Sequence, residues 1–203
     1  MSTLPVLETD VERTALKEWA VLVDAMARGE IVAMVRKGGI REQRAGFSVR
    51  HDRFLLYPTY FHEKGAELAP RLVHALEAAH ARRPPEGTVR LEQLAMVAAV
   101  WRVTELDRLR AVEGEHGLSW GAVESRFHYK GRPEVRVVAV RVARLPTPAT
   151  LPEVRRYTGC VSWVELDEDV RVAGALPALP DDAFARRLDQ LTAALGAPLG
   201  DQP

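Results

Sequence analysis

The stretch from Leu94 to Val103 reads LAMVAAVWRV and carries an apolar side chain at nearly every position. Because neighbouring side chains of an extended strand point to opposite faces, both faces of this segment are apolar. That pattern is typical of a central strand covered on both sides. The segment therefore predicts a sheet with other structure packed on each face.

The flanking segments predict the remaining elements. Asp10 is placed to cap a helix, and the apolar spacing predicts helices at 10–29, 68–82, 105–113 and 118–127 and a last helix that begins near Asp181. Strands are predicted at 31–35, 46–49, 53–57, 134–145 and 160–166, with the proline-rich residues 146–152 crossing the surface. This order predicts an α+β fold with a mixed or antiparallel sheet and flanking helices.

Two further features of the chain bear on the fold. The opening order of helix, three strands, helix and strand also fits a restriction-endonuclease-like core, which is one alternative. A length of 203 residues fits one generous domain. We predict a single α+β domain over residues 1–170 and a C-terminal helical extension and tail over residues 171–203 that packs on it.

The composition narrows the classes of protein and partner. Lys plus Arg and Asp plus Glu each number 28, and this neutral balance argues against a broad electrostatic grip on a nucleic-acid duplex. The single cysteine, Cys160, cannot form an internal disulfide. The sequence shows neither an apolar run of about 20 residues nor a signal peptide. We therefore expect a soluble, cytoplasmic protein without a membrane partner.

The densest group of residues with binding chemistry runs from Arg36 to His62. Its first part, Arg36 to Arg53, holds six Arg or Lys residues against two acids, and a glycine pair lets a ligand approach the backbone. Its second part, Tyr57 to His62, brings aromatic, hydroxyl and imidazole groups to the end of a predicted strand. The candidate ligand-binding residues are Arg36, Lys37, Gly38, Gly39, His51, Arg53, Tyr57, Thr59, Tyr60 and His62.

These residue types have two interpretations. In the functional one, Arg36, Lys37 and Arg53 contact phosphate, and Tyr57, Tyr60 or His62 contacts a base. In the structural one, the glycines form a hairpin turn with a solvated basic rim, and the aromatic side chains belong to the core.

Several catalytic signatures do not occur in the sequence. The chain has no Gly-Lys-Ser or Gly-Lys-Thr of a phosphate-binding loop, no Gly-x-Ser-x-Gly, and no His pair with metalloprotease spacing. None of the four lysines has Asp or Glu two positions earlier, which argues against an ordinary restriction-type nuclease. The sequence predicts neither a metal site nor a cofactor.

Four further segments are distinctive in combination: ALKEWA at 15–20, RKGGI at 36–40, FLLYPTYFH at 54–62 and YTGCVSWV at 157–164. Together they resemble a prokaryotic family of unknown function, DUF1802. Members of that family sometimes accompany restriction-endonuclease-like domains, so the resemblance implies a restriction or defence context and, through it, DNA. Residues 27–36 are also similar in pattern to the opening of PUA-like barrels, which read RNA or modified bases; a PUA-like barrel is the other alternative fold.

Three functions follow from these observations. The leading hypothesis is a module that recognises a nucleic acid, DNA or RNA, or a nucleotide through residues 36–62. The second is a small-molecule enzyme with His51 or His62 as acid or base and Glu42 or Glu63 as its partner. The third is a non-catalytic interaction module with an apolar patch or a homo-oligomer interface.

Overall fold

The computed structural model describes residues 9–37, 51–61, 64–159 and 161–199 of the chain. Within them, seven strands form one sheet and six α-helices lie beside it. The strands are β1 (Val11–Trp19), β2 (Ala33–Arg36), β3 (Arg53–Thr59), β4 (Thr88–Val103), β5 (Val135–Pro152), β6 (Trp163–Arg171) and β7 (Leu176–Pro177). The helices are α1 (Ala20–Ala27), α2 (Pro70–Val73), α3 (Ala75–Ala81), α4 (Leu106–Arg110), α5 (Trp120–His128) and α6 (Asp181–Leu195).

The strands pair in the order β2-β5-β4-β3-β1-β6, and β7 pairs with β5. Strands β1 and β3 run parallel, whereas the other pairs in the described residues are antiparallel. The predicted α+β class with a mixed sheet and flanking helices is therefore confirmed. The described strands form an open path from β2 to β6 and not the closed ring of a barrel.

Buried side chains lie on both faces of the sheet. Successive residues of β3 alternate between two separate clusters, with Phe54 and Leu56 in one and Leu55 and Tyr57 in the other. Strand β4 does the same at Leu94 and Ala95, and strand β1 at Ala15 and Leu16. The prediction that 94–103 belongs to a central strand is confirmed, but burial on both faces is limited to Leu94–Met96, because Ala98 and Arg102 are exposed.

The helix predicted over residues 10–29 is wrong in its first half, because residues 11–19 form strand β1 and only Ala20–Ala27 are helical. Strand β1 lies between β3 and β6 with both faces covered, so Thr14, Ala15 and Leu16 are buried in succession. Apolar residues on two covered faces can reproduce helical spacing by coincidence. The first element of the described residues is thus a strand, which removes the order that favoured a restriction-endonuclease-like core.

The proline-rich residues 146–152 are a second correction, because they continue strand β5 instead of crossing the surface. Ala149 to Pro152 pair with Leu91 to Thr88. Pro146 and Pro148 lie between the pairs Gln93–Arg144 and Leu91–Ala149, where the register shifts in a bulge. Proline is tolerated at a bulge because no ladder hydrogen bond is needed there. The predicted strand at 46–49 lies outside the described residues.

The C-terminal helix packs on the sheet. Phe184, Leu191 and Leu195 belong to a buried cluster that also contains residues of β2 and, from the end of β4, Trp101 and Val103. Trp101 Nε1 donates to the carbonyl oxygen of Gly196 at 2.9 Å, which ties the end of α6 to β4. The division between residues 1–170 and 171–203 stays a prediction. In the described part of the chain, no helix is long and apolar enough to cross a membrane.

Two glycines allow a matched test of this packing. A Cβ at Gly117 would lie 2.3 Å from Leu22 Cδ2 and 2.7 Å from Leu72 Cδ1, and both leucines are buried. We expect Gly117→Ala to lower the free energy of unfolding by about 1–3 kcal/mol, because the core must move to accept the methyl group. A Cβ at Gly121 in α5 would meet nothing within 4 Å, so Gly121→Ala should raise that free energy by about 0.5–1 kcal/mol. Urea unfolding curves measure both; equal effects of the same sign would contradict the packing.

Candidate functional site

A cleft of about 750 Å³ lies where strands β1 and β3 end. Parallel neighbours finish at the same edge of a sheet, so their last residues lie together. Three pairs face each other in register there: Lys17 with Tyr57, Glu18 with Pro58, and Trp19 with Thr59. The other walls come from Arg36, Tyr60, Phe61, residues 83–89, Arg126, Glu153 and residues 158–162.

An ion pair holds one wall of this cleft. The carboxylate of Glu18 is only 8% exposed, and its Oε2 lies 3.1 Å from Arg36 Nη1. Glu18 Oε1 accepts a hydrogen bond from the backbone N–H of Trp19 at 3.0 Å. Arg36 ends β2, which is separated from β1 by three other strands in the pairing order. The sheet must therefore curl strongly for this contact to form.

Tyr57 and Glu153 form a second polar contact of the cleft. The Tyr57 hydroxyl donates to Glu153 Oε1 at 2.6 Å, and the ring is almost fully buried. Burial, reinforced by the Glu153 carboxylate, raises the pKa of Tyr57. Lys17 Nζ lies 5.5 Å from the centre of the Tyr57 ring and donates to the carbonyl oxygen of Gly159 at 3.2 Å. This phenol is thus a neutral group held in one orientation.

The mouth of the cleft combines aromatic and cationic groups. Phe61 is 62% exposed, and Tyr60 is half-buried beside it. The Arg83 guanidinium carbon lies 5.1 Å from the Phe61 ring centre and 5.5 Å from the Tyr60 ring centre. A guanidinium over aromatic faces forms a flat, cationic surface of the kind on which planar ligands stack.

Helix α5 contributes Arg126 to the inner wall. Ser119 caps this helix by accepting from the N–H of Ala122. Arg126 Nη1 donates to the carbonyl oxygen of Val35 at 3.1 Å, and its guanidinium carbon lies 5.5 Å from the Trp19 ring centre. Burial lowers the pKa of Arg126, an effect that the Glu18 carboxylate opposes.

Four of the candidate residues predicted from the sequence meet in this cleft: Arg36, Tyr57, Thr59 and Tyr60. Thr59 Oγ1 donates to the carbonyl oxygen of Glu18 at 3.2 Å, which links the ends of β3 and β1. Tyr57 also belongs to the buried cluster on one face of the sheet, so the functional and structural interpretations of this tyrosine both hold.

Three other predicted residues lie elsewhere. The Lys37 ammonium donates to the carbonyl oxygens of Phe127, Arg132 and Glu134, and so caps the end of α5. Arg53, at the opposite end of β3, pairs with Glu12 at 2.8 Å. His51 is exposed, does not line the cleft, and packs its ring 5.2 Å from that of Trp163. Gly38, Gly39 and His62, with the acid partners Glu42 and Glu63, lie outside the described residues.

Sequence reasoning missed several cleft residues: Lys17, Glu18, Trp19, Arg83, Arg126 and Glu153. The first three lie in the segment ALKEWA, which carries the family resemblance and whose apolar spacing predicts a helix. With that segment read as a strand, its end would have been placed beside Tyr57. Arg126 and Glu153 come from distant elements, and no local pattern marks them. No group of three or more metal-ligating side chains occurs in the part of the chain that the structure describes.

Together, the curled mixed sheet and this cleft define an α+β protein with a ligand-sized cavity at the ends of two parallel strands. The sequence matches the family model of DUF1802, a domain of unknown function, over residues 15–190. Because this match covers most of the chain, the protein belongs to the DUF1802 family. No curated protein matches it.

Among solved structures, the chain is similar to the ASCH protein of Zymomonas mobilis. The crystal structure of ASCH matches with a TM-score of 0.43 and 15% identity, over 76% of this chain and 87% of that one. A serine-to-alanine variant of the same protein matches with a TM-score of 0.40 and 16% identity, over 90% and 97%.

A buried histidine lies behind the cleft. His116 is 1% exposed, and its Nδ1 accepts from the N–H of Leu118 at 3.3 Å. In the described part of the chain, its Nε2 has no hydrogen-bond partner. Burial, with added repulsion from Arg71 and Arg126, lowers the pKa of His116 to about 4.

This pKa predicts a pH-dependent stability. Between about pH 6.5, the ordinary value in an unfolded chain, and about pH 4, the unfolded chain binds a proton that the native protein does not. Lowering the pH through this window should therefore reduce the free energy of unfolding, by about 3 kcal/mol at most. His116→Asn keeps an acceptor for Leu118 and should flatten the dependence, whereas replacement of the exposed His74 by Asn should not. Urea unfolding at a series of pH values measures the slopes; parallel slopes for the native protein and His116→Asn would refute the assignment.

Proposed function

We propose that the protein binds a nucleotide, either free or as part of a single-stranded nucleic acid, in the cleft. The observation that carries this proposal is the convergence of aromatic rings and cations on one cavity of about 750 Å³. That volume is in the range of clefts that take a small organic ligand. A nucleotide is a ligand whose two halves, a flat base and an anionic phosphate, match these two kinds of group.

The aromatic mouth supports stacking of a base. Phe61 has the exposed ring, and Arg83 lies over both Phe61 and Tyr60. Stacking on such side chains contributes roughly 1–3 kcal/mol per base and tolerates every base. An unpaired base has a free face to offer, so the proposal favours single strands over duplexes.

The polar groups support recognition of the rest of the nucleotide. Lys17 and Arg36 line the cleft as cations, while Thr59 and Glu153 bring a hydroxyl and a carboxylate of the kind that bond base or sugar edges. Acids also line the cavity, so its net charge is small. A ligand with few phosphates therefore fits it better than an extended polyanion.

The restriction or defence context implied by the family resemblance is part of this proposal. In that context the bound base would belong to DNA, and its modification would matter. A comparison of cytosine-containing and methylated oligonucleotides tests this part separately from binding itself.

The test is fluorescence anisotropy with labelled single-stranded DNA and RNA of about ten nucleotides, with unlabelled mononucleotides as competitors. We expect Phe61→Ala to weaken binding about tenfold or more, the loss of one stacked base. With about three phosphate contacts, the logarithm of affinity should fall with the logarithm of salt concentration at a slope of about −2.

Leu176→Ala is the matched control, because Leu176 is also a large apolar side chain, 70% exposed, on strand β7 away from the cleft. It should leave the affinity unchanged. Absence of binding to either strand type or to mononucleotides at about 50 mM salt would overturn the proposal, as would equal losses in the two variants.

A further inference from the structure

A second depression, of about 290 Å³, adjoins the cleft. It shares Arg36, Arg126 and Ser162 with the cleft, so the two cavities are continuous. Its remaining lining residues are Val35, Lys37, Ser125 and Tyr129. A ligand in the cleft can therefore extend into this depression past the two arginines.

The lining of the depression is cationic. Arg36, Lys37 and Arg126 carry positive charge, and none of the described lining residues is acidic. Arg36 is paired with Glu18, which lines the cleft and not the depression. Among the described residues, no carboxylate oxygen lies within 4 Å of the Arg126 guanidinium, and its Nη1 donates to the backbone carbonyl oxygen of Val35.

Arg126 is thus partly buried with no carboxylate in contact with it among the described residues. A guanidinium out of bulk water without a counter-charge is costly, and a bound anion relieves that cost. The electrostatic field of a guanidinium is stronger inside such a depression than at an open surface, because the surrounding protein has a low dielectric constant. The geometry thus favours a negatively charged occupant beside Arg126.

Lys37 strengthens this field without serving as a ligand. The end of a helix carries partial negative charge on its free carbonyl groups, which would repel an anion. The Lys37 ammonium binds the carbonyl oxygen of Phe127 in the last turn of α5 and that of Glu134 nearby. It therefore covers the negative helix end and leaves the hydroxyls of Ser125 and Ser162 as neutral donors.

We infer that this depression is a phosphate subsite, in which Arg126 and Arg36 hold a phosphate group of the nucleotide whose base lies in the cleft. The inference rests on the proposed function and adds the substrate class: a phosphorylated nucleoside or an internal nucleotide of a strand, as opposed to a free nucleoside or base. Guanidinium groups suit this role because they can donate two parallel hydrogen bonds to phosphate oxygens.

The test compares uridine, its 5′- and 3′-monophosphates and inorganic phosphate by isothermal titration calorimetry on the full chain. We expect at least one monophosphate to bind about tenfold or more tightly than uridine, and Arg126→Gln to remove this difference between the two ligands. Arg186→Gln, at an exposed arginine of α6 that lines neither cavity, is the control and should leave the difference intact.

A second variant covers the case in which Arg126→Gln does not fold. Ser125 is exposed on α5, so Ser125→Asp should fold. Its carboxylate should repel the phosphate group, so that the monophosphates no longer bind more tightly than uridine. Circular dichroism checks the fold of each variant.

The outcomes separate the two proposals. Equal binding of uridine and both monophosphates would overturn the subsite and leave the proposed function standing. Binding of inorganic phosphate that depends on Arg126, without binding of any nucleoside or nucleotide, would support the anion subsite and overturn the proposed function. No binding of any probe would overturn both.

Discussion

The buried carboxylate of Glu18 is the contact on which the cleft depends. It lies near the end of strand β1, is 8% exposed, and pairs with Arg36 at the end of β2, although three other strands lie between β1 and β2 in the sheet. Removal of either partner would leave a charge with little water around it, which is far more costly than the pair itself. The ion pair therefore favours the curled form of the sheet. That curl brings the end of β2 to the end of β1, and both ends line the cleft.

The curl follows from two bulges in a sheet that has a buried cluster on each face. Alternate side chains of strands β1, β3 and β4 belong to two buried clusters, which lie on opposite faces of the sheet. Bulges in the β4–β5 pair, between Leu91 and Gln93 and between Val97 and Ala99, bend the two longest strands. Two apolar clusters and two bulges thus produce the concave edge at which polar residues of β1 and β3 meet.

The same two-sided burial explains which parts of the fold were predictable. The dense apolar run at 94–103 has no good helical face, and its assignment as a central strand is confirmed. Residues 11–19 have fewer apolar side chains, arranged by chance at helical spacing, and the helix predicted there is wrong. In the cleft, Tyr57, Thr59 and Tyr60 were predictable because they follow one another along the chain. Arg126 and Glu153 were not, since only tertiary contacts bring them to β1 and β3.

The neutral net charge of the chain reflects ion pairs between its arginines and carboxylates. Arg36 in the cleft pairs with Glu18, and Arg53 at the far end of β3 pairs with Glu12. Such pairs cancel at a distance, so they give little attraction to a long polyanion. Arg126 differs, because within the described residues its guanidinium has a backbone carbonyl as its partner and no carboxylate within 4 Å. A neutral protein that holds a partly buried arginine beside an aromatic cleft is suited to select a ligand by the position of a single negative charge relative to a flat ring.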